Sequence, residues 1–157
     1  MYADCLSSIG LGGGSLVQWD ASHSRAIVGP ASVGYRIATE ALVFGGSTIT
    51  TTDIAVAAGD IVIGPQPEKA STLDADLVKA AQSRMKVMLE ETLDAMKTSP
   101  EPIPAYLVGG GAFLAPDELQ GISKVIKLPH AGVANAIGAA IAQVCKYEAL
   151  IYALDYS

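Results

Sequence analysis

A chain of 157 residues, half of them apolar and 17% charged, is long enough for one domain with its own core and too apolar for a disordered segment. Its net charge of -6 argues against a nucleic-acid partner, because affinity for a phosphate backbone comes from Lys and Arg, and they form no cluster along this chain. The mean hydropathy of +0.37 is high for a free-standing domain and predicts that part of the surface is covered in the complete protein.

The chain enters without a capping or breaking signal over Met1 to Ser8, and Tyr2 to Leu6 can be part of a strand. An open α/β domain usually begins with a strand before its first ligand loop, so this start reads as truncated. The chain then turns at Gly12-Gly13-Gly14-Ser15. Leu16 to Trp19 and Arg25 to Val28 are strand candidates around a polar turn, Asp20 to His23, and the second ends at Gly29-Pro30. Together they predict a β-hairpin. Tyr35 to Leu42 is a weak helix or an irregular loop, and Val43-Phe44-Gly45-Gly46 is a glycine-terminated apolar step.

Thr48, Thr50, Thr51 and Thr52 then lead into Asp53. So many threonines are poor helix material unless they cap something. Asp53 suits the N-cap of a short helix from Ile54 to Ala58, which Gly59 would stop. Ile61 to Gly64 is short and apolar, and Pro65-Gln66-Pro67 makes a rigid turn.

Leu73 to Met96 carries the clearest helical pattern. Leu73, Leu77, Ala81, Met85, Leu89, Leu93 and Met96 recur at spacings of three or four and form one stripe. Ser71 with Asp74 predicts a capping box, and Pro100 and Pro102 end the helix. The methionines read as core filler.

Ala105 to Val108 reads as a short buried central strand, followed at once by Gly109, Gly110 and Gly111. Ligands collect beyond the carboxyl ends of strands in open α/β sheets, so a nucleotide is one reading of these glycines. A tight turn with no ligand is the other. Asp117 to Leu119 reads as a short helical piece and Val125 to Leu128 as a further strand ended by Pro129. Val133 to Tyr147 predicts a second long helix, apolar nearly all round and therefore buried on more than one side. Gly138 in its middle costs about 1 kcal/mol against alanine, which close contact with a sheet or a ligand would explain. The tail from Glu148 to Ser157 can continue that helix or pack on a neighbouring domain. The order helix, strand, glycine turn, strand, helix gives an α/β fold, and the early hairpin makes the sheet mixed.

Cys5 and Cys145 have no CxxC spacing and read as small buried hydrophobes of a reducing compartment, though sequence leaves a long-range disulfide open. His23 falls in the hairpin turn and reads as solvated. His130 reads as structural or as able to reach a cleft, and neither histidine has metal-site spacing. No Walker A lysine and no G-x-S-x-G elbow follows the glycines. No amino-terminal signal and no apolar run of about twenty residues is present, so the chain reads as cytoplasmic with no membrane partner.

Taken together, Ile9-Gly-Leu-Gly-Gly-Gly-Ser15, Val28-Gly-Pro-Ala-Ser-Val-Gly34, Phe44-Gly-Gly46, Thr50-Thr-Thr-Asp53, Leu107-Val-Gly-Gly-Gly-Ala112 and Val133-Ala-Asn-Ala-Ile-Gly-Ala-Ala140 resemble the hydantoinase/oxoprolinase family, of the hydantoin-utilization A type. The resemblance runs over nearly the whole chain. It implies a ribonuclease-H-like half of the actin, sugar-kinase and Hsp70 superfamily. It also implies that residues 1–157 are a single domain, the carboxy-terminal part of a longer subunit, because the family's Gly-Gly-Thr signatures are absent from this sequence.

The activity implied is ATP-dependent opening of a cyclic amide of the hydantoin or 5-oxoproline type. ATP with a divalent metal would serve the complete enzyme, while the isolated fragment would hold neither and be inactive. The resemblance assigns Gly109, Gly110 and Gly111 to an adenosine-side loop, with Asn135 and Gly138 in the following helix. It sets Gly12, Gly13, Gly14 and Ser15 near an interdomain cleft, and Thr50 and Asp53 at the catalytic segment. Asp53 could face substrate or metal there, or serve only as a helix cap. No metal ligand is assigned. The implied partners are the missing amino-terminal domain, a second hydantoinase subunit, and other copies of the fragment. The sequence departs from many large members in its Val108-Gly-Gly-Gly-Ala112 loop and in a shorter segment before the long helix, which leaves the substrate class open. A non-catalytic packing module, or one binding nucleotide for regulation, is the alternative.

Overall fold

The computed structural model describes residues 7–142. Tyr2 to Leu6, Cys5, Cys145, the end of the last predicted helix and the tail lie outside the described residues.

Strand β1, Ser15–Asp20, pairs antiparallel with β2, Arg25–Ser32, in the register Val17 to Val28, Trp19 to Ala26 and Asp20 to Arg25. Alternation puts Val17, Ala26 and Val28 on one buried face, as the hairpin pattern predicts. The second strand does not stop at Gly29-Pro30, however, but runs on to Ser32 across a register shift between Ser15 and Val17. Gly29, at φ +58°, lets the strand bend, and the Gly10 carbonyl occupies the space where its Cβ would stand.

After the hairpin come the single helical turn α1, Ile37–Glu40, and α2, Thr51–Ala58, which ends at Gly59 in the left-handed conformation. Helix α3 spans Ala75–Met96. Asp74 is itself its N-cap, accepting from the amides of Asp76 at 2.8 Å and Leu77 at 3.2 Å. The Ser71–Asp74 box is therefore corrected: Ser71 belongs to a preceding 3-10 stretch, Pro67–Thr72, and cannot cap α3. Leu77, Val78, Ala81 and Met85 close the core with Val17, Ala26, Val28 and Ile54. Full burial of one of the Val, Leu, Ile or Met side chains among them contributes about 1.5–3 kcal/mol. The stripe thins toward its end, where Leu89 and Leu93 are half-buried and Met96 is exposed.

Strand β3, Ile103–Leu107, pairs in parallel with β4, Ile122–Lys127. Among the described residues β3 pairs with β4 alone, and Tyr106 is 62% exposed. Its apolar sequence therefore does not make it a buried central strand here. The helical turn expected at Asp117 to Leu119 falls instead at Ala112–Leu114, and Pro116 stops it. Helix α4 spans Ala134–Ile141. It is exposed rather than covered on several sides, with Ile137 at 44% and Ile141 at 78%. An apolar helix requires a cover but does not name one. Among the described residues no helix is long and apolar enough to cross a membrane.

Candidate functional site

The four-residue block Thr50 to Asp53 is the most buried polar part of the described chain. Thr50, not Asp53, is the N-cap of α2, and Asp53 stands three residues in, completing a capping box. One carboxylate oxygen, Oδ2, accepts from the Thr50 amide and the Thr50 hydroxyl, both at 2.8 Å. The other, Oδ1, accepts from the Val43 amide at 2.9 Å. Neither Thr50 nor Asp53 exposes any surface. The structure thus engages both carboxylate oxygens in holding the chain. Hydrogen bonds to a charged acceptor of this kind contribute about 1.5–3 kcal/mol each.

The next two threonines reach across to the first glycine turn. Thr51 Oγ1 donates to the Gly12 carbonyl. Thr52 donates to the Gly13 carbonyl twice, from its amide at 3.1 Å and from Oγ1 at 2.9 Å. The Gly14 carbonyl accepts from the Val33 amide at 2.9 Å. All three glycine carbonyls are thereby turned into the protein. Ser15 braces the same turn: its buried Oγ accepts from the Gly12 amide at 2.9 Å and donates to the Gly10 carbonyl at 3.3 Å. A Cβ on Gly13 would lie 2.9 Å from Thr52 Oγ1, and one on Gly14 3.0 Å from Ser32 Oγ, whereas one on Gly12 meets nothing within 4 Å. Packing explains the middle glycines, and Gly12 keeps an open side.

The second glycine turn follows β3. Gly109 takes φ +91°, a region side chains rarely enter, and its amide donates to the Ala131 carbonyl at 2.7 Å. The Ala112 amide closes back on the Gly109 carbonyl at 3.2 Å. Gly110 and Gly111 need no positive φ, and a Cβ on either would meet nothing within 4 Å. Their backbone is open to approach from outside the chain.

Phe113 joins the two turns. Its Cζ lies 3.7 Å from the Cβ position of Gly13, so the segment after the second turn packs on the first. Sequence reading did not single out Phe113. An aromatic two residues past a glycine run was the available signal, but nothing local names the surface it covers.

Asn135 and Gly138 are exposed on α4, and a Cβ on Gly138 would meet nothing within 4 Å, so close contact within the described residues does not explain that glycine. His130 is exposed at φ +62° before the turn leading into α4. His23 is exposed in the hairpin turn, its Nδ1 2.8 Å from Asp20 Oδ2. That contact, with Arg25 and the neighbouring amides, holds the Asp20 carboxyl below its usual range. Among the described residues no three His, Cys, Asp or Glu side chains gather into a metal site.

A groove of about 680 Å³ opens between α3 and the segment from Phe113 to Asp117. It shares Phe113 with the glycine turns, and none of the catalytic or cofactor-binding candidates read from sequence lines it.

Residues 5–67 match the family model described as hydantoinase/oxoprolinase. This region holds Gly12 to Ser15 and Thr50 to Asp53, while Gly109 to Gly111, Asn135 and Gly138 lie beyond it. Among solved structures, the chain is similar to one titled as a nucleotide-free structure of acetone carboxylase, from work on the mechanism of ATP-dependent acetone carboxylation. The TM-score is 0.60 at 22% identity, over 83% of this chain and 22% of that one. The chain thus spans less than a quarter of the length of that relative. No curated protein matches it. The chain therefore shares the fold of that structure, with antiparallel and parallel strand pairs and flanking helices, and its amino-terminal region, residues 5–67, carries the hydantoinase/oxoprolinase family pattern.

Proposed function

We propose that this chain forms one wall of the nucleotide cleft in an ATP-dependent enzyme that opens a cyclic amide of the hydantoin or 5-oxoproline type. The observation that carries the reading is the pair of glycine turns joined by Phe113, the first inside the family-matched region and the second with its backbone unobstructed at Gly110 and Gly111. A cyclic amide resists hydrolysis because resonance with its nitrogen makes the carbonyl carbon a weak electrophile. Transfer of the γ-phosphoryl group of ATP to the amide oxygen, with release of ADP, would activate that carbon. Water would add to it, and the ring C–N bond would break as the nitrogen is protonated. A second water would release phosphate from the resulting acyl phosphate. The chain's own share of that work is positioning. Thr51 and Thr52 fix the carbonyls of Gly12 and Gly13, and Gly110 and Gly111 offer the nucleotide a backbone without side chains. In this reading Thr50 and Asp53 act through the loop they hold. The metal that accompanies ATP would be held in the complete subunit, in large part by the phosphates of the nucleotide itself.

A second reading, ATP-dependent carboxylation, is favoured by the likeness to acetone carboxylase. Both readings are tested on the complete subunit by following phosphate release from ATP with hydantoin, 5-oxoproline, or acetone and bicarbonate. Ring opening coupled to phosphate release is expected, with none from the 157-residue chain alone. Turnover of acetone and bicarbonate without ring opening would replace the first reading with the second. A subunit that binds ATP and turns over none of these would favour a regulatory nucleotide-binding module instead.

A further inference from the structure

We propose that the groove between α3 and the Phe113–Asp117 segment binds a small organic carboxylate with an apolar body. At about 680 Å³ it has the size of a small-molecule site. Its floor is apolar: Met85 and Ala115 are buried, and Leu114 and Phe113 are half-buried beside them. This floor suits a ring or a branched hydrocarbon.

The rim decides the sign of the polar group. Among the described residues two carboxylates border the groove, and each already accepts one hydrogen bond. Asp60 Oδ2 accepts from Gln82 Nε2 at 3.1 Å, and Asp117 Oδ1 is 2.7 Å from Lys127 Nζ. The remaining cation is held loosely. Lys86 Nζ is 3.9 Å from Glu90 Oε1, and that same oxygen accepts from the Gln120 amide at 2.7 Å. Glu90 Oε1 is thus shared between the Gln120 amide and a long contact to Lys86, whose ammonium keeps donors for a second anion. Ser83, three residues earlier on the same helix face, also lines the groove and adds a hydroxyl donor. A cationic ligand would have to share Asp60 with Gln82 and compete with the Lys127 ammonium for Asp117. A carboxylate meets an ammonium and a hydroxyl, with an apolar floor beneath its body.

The test is an NMR titration of the full chain with phenylacetate, and with neutral phenylacetamide of nearly the same shape. Phenylacetate should shift the amides of Ser83, Lys86 and Phe113 to Asp117 saturably. Lys86→Met, which keeps the stem, should weaken this about tenfold or more, and phenylacetamide should bind weaker by a similar factor. Lys79→Met, on the same helix but outside the groove, should change nothing and controls for helix stability. Three results would overturn the proposal: no saturable shift up to about 10 mM, equal binding by the amide or by Lys86→Met, or shifts centred on β3 and α4.

Discussion

The carboxylate of Asp53 receives the amide hydrogen of Val43, ten residues back in the chain, at 2.9 Å. With its other oxygen committed to Thr50, the side chain joins the start of α2 to the turn before it. Asp53→Ala strands three buried donors and should lower stability by roughly 2–4 kcal/mol, and Asp53→Asn by about half of that. Urea unfolding measures the loss, and amide exchange at Val43 should accelerate in both variants. A fully stable Asp53→Ala chain would mean that the buried bonds contribute nothing net.

The two neighbouring glycines of the first turn should respond differently. Gly13→Ala forces Thr52 Oγ1 out of its bond to the Gly13 carbonyl, costing about 1–2 kcal/mol. Gly12→Ala places its methyl in open space and should cost less than about 0.5 kcal/mol. Thermal melting of the two variants separates them, and equal losses would count against the packing explanation.

In the second turn the strain belongs to Gly109 and not to Gly110. Gly109→Ala should destabilise by about 1 kcal/mol because of its φ of +91°. Gly110→Val should fold normally, since its side chain meets nothing. If the loop lines a nucleotide, Gly110→Val in the complete subunit should weaken ATP binding with no change in Tm. Unchanged ATP affinity in a folded variant would remove the nucleotide from this loop.

Asp20 carries a pH dependence of known sign. Its pKa in the folded chain lies below the ordinary 3.8, first through the hydrogen bond with His23 and also through Arg25. Its stabilising effect on the hairpin is therefore fully present above that ordinary value and fades as pH falls through the lowered one. His23→Ala should raise the Asp20 pKa toward 3.8, which a carbon-detected carboxylate titration reads directly. No movement would mean that Arg25 and the backbone hold the charge without His23.

Tyr106 on β3 and Ile137 and Ile141 on α4 expose apolar surface, and the chain should self-associate through it in solution. Sedimentation across a concentration series should show a shift that Ile137→Lys with Ile141→Lys abolishes. A strict monomer at every concentration would show that this surface is tolerated in water.

What the sequence by itself determined is what neighbours in the chain decide. The hairpin is legible because alternation and turn residues act within a few positions, and α3 because its stripe repeats every turn. Gly59 as a helix stop and the two glycine turns are legible for the same local reason. The capping partner was half-legible: the Thr50-to-Asp53 spacing carried a capping box, but the N-cap was read one turn late, because an aspartate before an apolar run suits either position. Tertiary structure alone decided the rest. The apolar run of β3 and the alanine-rich α4 require burial, and only the fold decides whether anything covers them. Val43 and Asp53 meet because the chain folds back between them, and Phe113 reaches Gly13 across a hundred residues of sequence. Local pattern sets which surfaces seek a partner, but contact between distant residues depends on how the elements pack.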